Sequence, residues 1–206
     1  IIEVLGEIDD PGMEIEIAVR KFDVPHQFSE ATLAQAKKLA SRVMAADLEG
    51  RVDLRDLPFF TIDGEDARDF DDAIYGELTE VPSGRGTKQV WRLLVAIADV
   101  SHYVQPGQPI DEDAIERGTS VYFPRRVIPM LPESLSNGIC SLNPHEDRLV
   151  LVCDMLIHNT GAYAGTVQGY QFYPAVICSQ ARTTYTQVWD VIQQPDGPTA
   201  RELAVV

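Results

Sequence analysis

Apolar and polar residues alternate along 13–19, with Met13, Ile15, Ile17 and Val19 on one side and Glu14 and Glu16 on the other. That period of two is the mark of a half-buried strand. The preceding Asp9-Asp10-Pro11-Gly12 is a turn sequence, so residues 1–20 are expected to form a hairpin. The period then changes. Leu33, Ala36, Ala40 and Val43 recur at helical spacing behind Ser29, a good N-cap, and predict a linker helix ending near Gly50. Strand-like apolar runs follow at 59–62, 73–78, 90–98, 149–157 and 166–177, the last two separated by Asn159-Thr160-Gly161. A short helix is expected at 111–117 and a last one at 185–193, stopped before Pro195. Ser83-Gly84-Arg85-Gly86 reads as a mobile turn, and no segment repeats. The pattern as a whole predicts an α+β class with a mainly antiparallel sheet.

Composition narrows the setting. With 206 residues, 45% of them hydrophobic, the chain can bury an ordinary core as one domain or two small ones. It opens on strand-like Ile1-Ile2-Glu3-Val4-Leu5 and closes on Glu202-Leu203-Ala204-Val205-Val206, so it is read as part of a longer protein. The three cysteines, Cys140, Cys153 and Cys178, are an odd number with no close pair, which suits reduced thiols in a cytoplasmic protein. No apolar run approaches the roughly 20 residues of a spanning helix, and no membrane role is expected. The net charge is −15, from 32 acidic residues against 17 Lys and Arg. Taken alone, that balance argues against binding nucleic acid, since phosphate binding normally shows as a positive surplus.

One stretch complicates that inference. Six of the ten residues from 63 to 72 are acidic: Asp63, Glu65, Asp66, Asp69, Asp71 and Asp72, offset only by Arg68. Most acidic runs are solvated loops. This one lies between Phe59-Phe60-Thr61-Ile62 and Ala73-Ile74-Tyr75 and encloses Phe70, all of which draw it towards a core. Two carboxylates about 4 Å apart at an effective dielectric of about 20 repel by about 4 kcal/mol. Several such pairs need protonation or a cation. Oxygen donors select Mg²⁺ or Mn²⁺ (or Ca²⁺) over Zn²⁺. An EF-hand fails on spacing, and none of His26, His102, His145 or His158 lies near a cysteine at zinc-ligand spacing, so each histidine reads as structural or surface. Carboxylates with Mg²⁺ are a standard arrangement for displacement at phosphorus, so the residues point to phosphodiester chemistry without naming a substrate.

RVDLRDLP (51–58) followed by TIDGEDARDFDDA (61–73) resembles the signature of the ribonuclease II (RNB) superfamily, as found in its bacterial members. VAIADVSHYV (95–104), GTSVYFP (118–124) and VIPMLPESLSNGICSLNP (127–144) match further family segments in the same order. The resemblance covers nearly the whole chain. It implies an exoribonuclease that hydrolyses RNA processively from the 3′ end with Mg²⁺ (or Mn²⁺) and releases nucleoside 5′-monophosphates. By the same resemblance, Asp63, Asp69, Asp71 and Asp72 form the catalytic and metal-binding set, with Asp71 the residue most needed for cleavage. Glu65 and Asp66 fall outside that set and read as solvated loop charges. Tyr122 falls on the aromatic that packs against nucleotides, and stacking of this kind tolerates any base. Without the resemblance, Tyr122 would read as a core tyrosine. Asp99 reads as a supporting or structural carboxylate. The segment after Tyr122 is either a channel wall or a long structural connection.

The resemblance also divides the chain: residues 1–24 as the end of a cold-shock (OB-type) domain, 25–57 as the linker helix and 58–206 as the first part of the catalytic domain. The implied partner is the 3′ end of single-stranded RNA, with the ribosome or RNA-decay factors as further partners and a monomeric intact enzyme. Residues 1–24 carry only Arg20 and Lys21 as basic residues, too few for a working RNA-binding module. The family's arginine-rich stretch and basic C-terminal domain have no counterpart in this sequence; on that reading the acidic balance is accounted for, and the chain alone is expected to be inactive or nearly so. Two other classes compete: a catalytically silent RNA-binding regulator on the same fold, and a structural acidic domain of a larger assembly.

Overall fold

A computed structural model describes residues 1, 3–7 and 9–203. Ile2 and Ile8 of the expected hairpin, and 204–206 at the end of the expected catalytic domain, lie outside the described residues. In chain order the elements are α1 (Met13–Lys21), α2 (Glu30–Ala36), β1 (Val52–Asp53), β2 (Phe60–Asp63), β3 (Asp72–Ser83), β4 (Gly86–Ala98), α3 (Pro109–Arg117), β5 (Val121–Phe123), β6 (Arg126–Ile128), β7 (Asp147–His158), β8 (Val167–Cys178), β9 (Ala181–Thr184), α4 (Tyr185–Gln193) and α5 (Pro198–Leu203). They form two compact units, one of residues 1–39 and 104–136, the other of 40–103 and 137–206.

In the first unit the expected hairpin is replaced by a helix. A strand would bury Ile17 along with Ile15 and Val19; instead Ile17 is 46% exposed while Ile15 and Val19, four residues apart, share the buried face. The alternation was a by-product of charge placement. Glu14 and Glu16 occupy the first turn and Arg20 and Lys21 the last, which suits the helix dipole, and Glu16 pairs with Arg20 one turn on. Ile15, Val19 and Ile128 make the small core, with Val24, Val121 and Phe123 packed against it. The expected linker helix is also shorter than its apolar stripe suggested. Ser29 caps it, accepting from the Thr32 amide at 3.1 Å, but it ends at Ala36. Leu33 is 44% exposed, so the stripe has little to pack against, and short helices persist mainly through tertiary packing. What holds α2 is polar contact with α3 and its N-terminal turn: Thr32 Oγ1 donates to the Pro109 carbonyl at 2.7 Å, and the Ile110 amide donates to Gln35 Oε1 at 3.0 Å.

The second unit is built on a seven-stranded sheet in the order β1-β8-β7-β4-β3-β2-β9. The β3-β4, β4-β7 and β7-β8 pairings are antiparallel, as expected, while the edge pairs β1-β8 and β2-β9 are parallel. Ser83-Gly84-Arg85-Gly86 is the β3-β4 turn, and Gly84 takes a φ of 60° that favours glycine. One face of the sheet buries Val90, Leu94, Ala96, Val150 and Val152. Trp91, Ile97, Leu151 and Phe172, on the alternate positions, remain largely exposed. The expected helix at 185–193 is present, with Thr184 and Gln187 forming a reciprocal capping box.

The buried face carries Asp154, a carboxylate only 6% exposed. Arg92 donates to both of its oxygens at 3.1 and 2.7 Å, and Tyr173 Oη and Gln171 Nε2 complete its shell. Burial pushes the Asp154 carboxyl up, but the hydrogen bonds from Arg92 and Tyr173 and the Arg92 charge outweigh it and leave the carboxyl below the ordinary 3.8. A carboxylate depressed in the folded state stabilises the fold above the unfolded pKa, and that stabilisation is lost as pH falls through the folded value. Asp154→Asn should therefore cost about 2 kcal/mol at pH 7, discounted for the partly exposed Arg92. Urea melts should show the deficit shrinking below about pH 4.

Candidate functional site

The acidic loop runs from the end of β2 to the start of β3. Asp63 is the last residue of β2, Asp72 the first of β3, and Asp69 and Asp71 lie in the connection between them. The Asp63 carboxylate turns onto the Gly64 amide at 2.7 Å. Phe70 anchors the far end of the loop and is only 2% exposed. Its amide donates to Ser141 Oγ at 3.1 Å, and its carbonyl accepts from the Leu142 amide at 2.8 Å. The Asp71 carbonyl in turn accepts from the Ala98 amide at 2.8 Å. Phe70 is buried, while its neighbours Asp69 and Asp71 are half-buried and exposed, respectively.

The carboxylates affect one another. Asp71 is pushed above the usual carboxylate range, first by desolvation and then by the charges of Asp69, Asp72 and Asp63. Asp72 is raised by desolvation and by Asp63, against a backbone hydrogen bond that lowers it. The four expected aspartates are thus one electrostatic group. Among the described residues, no three His, Cys, Asp or Glu side chains stand close enough together to hold an ion as they are. The donor set nevertheless fits a hard divalent cation, because it is all carboxylate oxygen and its mutual repulsion is what a cation relieves.

Other expected residues sort as follows. Glu65, read as a solvated charge, is exposed but also accepts from Thr186 Oγ1 at 2.5 Å, a bond that lowers its carboxyl. Asp99 is structural: Arg51 Nη2 lies 2.6 Å from one oxygen and Ser101 Oγ 2.7 Å from the other. Tyr122 belongs to the first unit, on β5 opposite Val127, and is 66% exposed, unlike a core tyrosine. All three cysteines are free thiols, and no helix is long and apolar enough to cross a membrane among the described residues.

Sequence reasoning missed the residues that hold the loop. Ser141 and Leu142 lie in the SLNP part of a quoted segment, whose role had been left open between a channel wall and a connection. In the structure 141–142 grips Phe70. Arg148, only 4% exposed, locks that connection by donating to the Ser141 carbonyl at 2.6 Å and the Gly138 carbonyl at 3.3 Å.

The RNB domain family matches residues 51–204 and the cold shock domain family matches residues 1–29. The chain is 53% identical to ribonuclease R of Escherichia coli (strain K12) over 193 residues, 94% of this chain and 22% of that protein. It is 50% identical to ribonuclease R of Vibrio cholerae over 206 residues, 100% of this chain and 24% of that protein. Among solved structures, Mycoplasma genitalium RNase R in complex with double-stranded RNA aligns with a TM-score of 0.82 at 35% identity, covering 95% of this chain and 33% of that one. The chain spans about a quarter of the length of these two sequence relatives.

Proposed function

The chain belongs to the RNB domain family, and from that premise we propose that the protein it represents is a processive 3′-to-5′ exoribonuclease releasing nucleoside 5′-monophosphates. The observation that carries this reading is the electrostatic coupling of Asp63, Asp69, Asp71 and Asp72 in one loop anchored by Phe70. These four would hold Mg²⁺, with Mn²⁺ as an alternative. When bound, the ion supplies activation of the attacking water and neutralisation of charge at phosphorus. The chain's own part is positioning. The Ser141 and Leu142 contacts fix the backbone at Phe70, so that Asp69 and Asp71 are presented together. Asp71 touches the charges of all three others and is the residue most needed for cleavage.

Tyr122 is proposed as a stacking platform for the single-stranded 3′ end, supported by its exposure and by the tolerance of stacking for any base. Residues 1–24 belong to a cold-shock domain and 58–206 to the catalytic domain, supported by the two family matches. The free thiols support a cytoplasmic setting. With a charge of −15, the chain by itself has poor affinity for RNA and is inactive.

The test is a full-length ribonuclease R containing this segment, given a 5′-labelled RNA with a single-stranded 3′ tail. Mg²⁺ should yield a ladder shortening from the 3′ end, and EDTA should abolish it. The 206-residue chain at the same concentration should leave the RNA intact. Bound but uncut RNA with the full-length protein would instead mark a silent RNA-binding regulator.

A further inference from the structure

Arg182, on β9, makes two contacts with the acidic loop that no part of the proposed chemistry uses. Its Nη2 donates to the Ala67 carbonyl at 2.7 Å, and its guanidinium carbon lies 4.2 Å from the centroid of the Phe70 ring. These contacts fall on either side of Asp69, one two residues before it and the other one residue after. β9 runs parallel to β2, with Thr61 opposite Arg182 and Asp63 opposite Thr184. The strand that carries Arg182 is therefore the neighbour of the strand that ends in Asp63. A second tether lies four residues further on, at the start of α4, where Thr186 Oγ1 donates to Glu65 at 2.5 Å. The segment 182–186 thus holds the loop at Glu65, Ala67 and Phe70.

We propose that Arg182 is a positioning residue for the hydrolytic site: by bridging the Ala67 carbonyl and the Phe70 ring, it sets where Asp69 stands relative to Asp63 and Asp71. The geometry requires arginine. A planar guanidinium presents a donor at its edge and a cationic face to an aromatic ring at the same time, whereas a lysine ammonium is a point charge that serves one of the two. Its role is also separable from folding. Arg182 is exposed, while the β2-β9 ladder and the Phe70 backbone bonds are made without its side chain. What its loss releases is the course of residues 64–69. Small displacements of a positioned group carry a large kinetic penalty, up to about 10²-fold for about 1 Å.

This inference rests on the proposed role of the four aspartates, and the experiment separates the two. In a full-length ribonuclease R containing this segment, Arg182→Met, Arg182→Lys and Asp71→Asn are compared with wild type. The readouts are kcat and KM on a short 3′-tailed RNA, Mn²⁺ binding by EPR without RNA, RNA affinity in EDTA, and thermal unfolding. Arg182→Met should lower kcat about ten- to hundredfold and weaken Mn²⁺ binding about tenfold. Its KM, RNA affinity and Tm should stay close to wild type. Arg182→Lys should fall between the two in both kcat and Mn²⁺ affinity. Wild-type Mn²⁺ affinity in Arg182→Met overturns the proposal, as does a kcat loss matched by an equal loss of RNA affinity. If Arg182→Met does not fold, Arg182→Lys decides, and wild-type Mn²⁺ affinity there overturns the proposal. Activity surviving in Asp71→Asn defeats the underlying reading, whereas an inactive Asp71→Asn beside an unaffected Arg182→Met defeats this inference alone.

Discussion

Asp71→Asn, in the full-length protein that contains this segment, is expected to reduce RNA hydrolysis by about 10³-fold or more while leaving RNA binding intact or tighter. Asp71 is the carboxylate on which the other three aspartates act, so it sits where their charges overlap. Asparagine has the same shape and leaves the backbone bond from Ala98 to the residue 71 carbonyl in place, so the loop keeps its path. What disappears is one negative charge and one anionic oxygen donor at a centre that must stabilise charge at phosphorus. Removing a negative charge that faces phosphate also removes a repulsion, which is why binding should not weaken. Single-turnover product assays and gel shifts on the same preparation measure both quantities. Loss of binding by a folded variant would count against a catalytic role for this residue.

The second large effect is structural and lies away from the acidic residues. Arg148→Met should destabilise the second unit by about 3 kcal/mol, because it leaves buried carbonyls without their charged donor. Arg148 donates to Ser141, Gly138 and Asp147 carbonyls and pairs with Glu146, and methionine replaces only its stem. For a protein unit of this size that corresponds to a fall in Tm of about 6–12 °C. The damage should also reach the site, since the connection that Arg148 locks is the one holding Phe70. Hydrogen exchange at the Phe70 and Leu142 amides should rise more than at the central β4-β7 ladder. A Tm within about 2 °C of wild type would show that the Arg148 bonds are replaced by other donors.

The strands β2, β3, β4, β7 and β8 of the second unit were legible in the sequence because their apolar runs are bounded by turn residues, whereas the short edge strands β1 and β9 have no such run and were not. The helix at 185–193 was legible because Pro195 stops it, while its Thr184 cap was seen only in the structure. In the first unit the short helix at 111–117 and the Ser29 cap were legible, but the rest was not. In 13–19 a two-residue alternation of Ile and Glu competed with a helical placement of charges, and only burial decides between them: Ile17 is exposed. The α2 stripe promised a long helix, but apolar residues stabilise a helix only where a partner covers them. At the site, the acidic loop was legible from charge density and flanking apolar runs, and its division into four aspartates came from the family resemblance. Its supports were not legible. Ser141 and Arg182 lie 71 and 115 residues from the loop residues they hold. Neither carries a local pattern that distinguishes it from an ordinary serine or strand arginine.

The central claim, that Asp63, Asp69, Asp71 and Asp72 together hold the divalent cation, is tested most directly by calorimetric titration of Mg²⁺ into the RNA-free, full-length protein. Wild type should give a saturable binding isotherm, and a variant with all four aspartates changed to asparagine should give only heat of dilution while keeping its circular dichroism spectrum. An unchanged isotherm in the folded variant would contradict the account, placing the cation elsewhere.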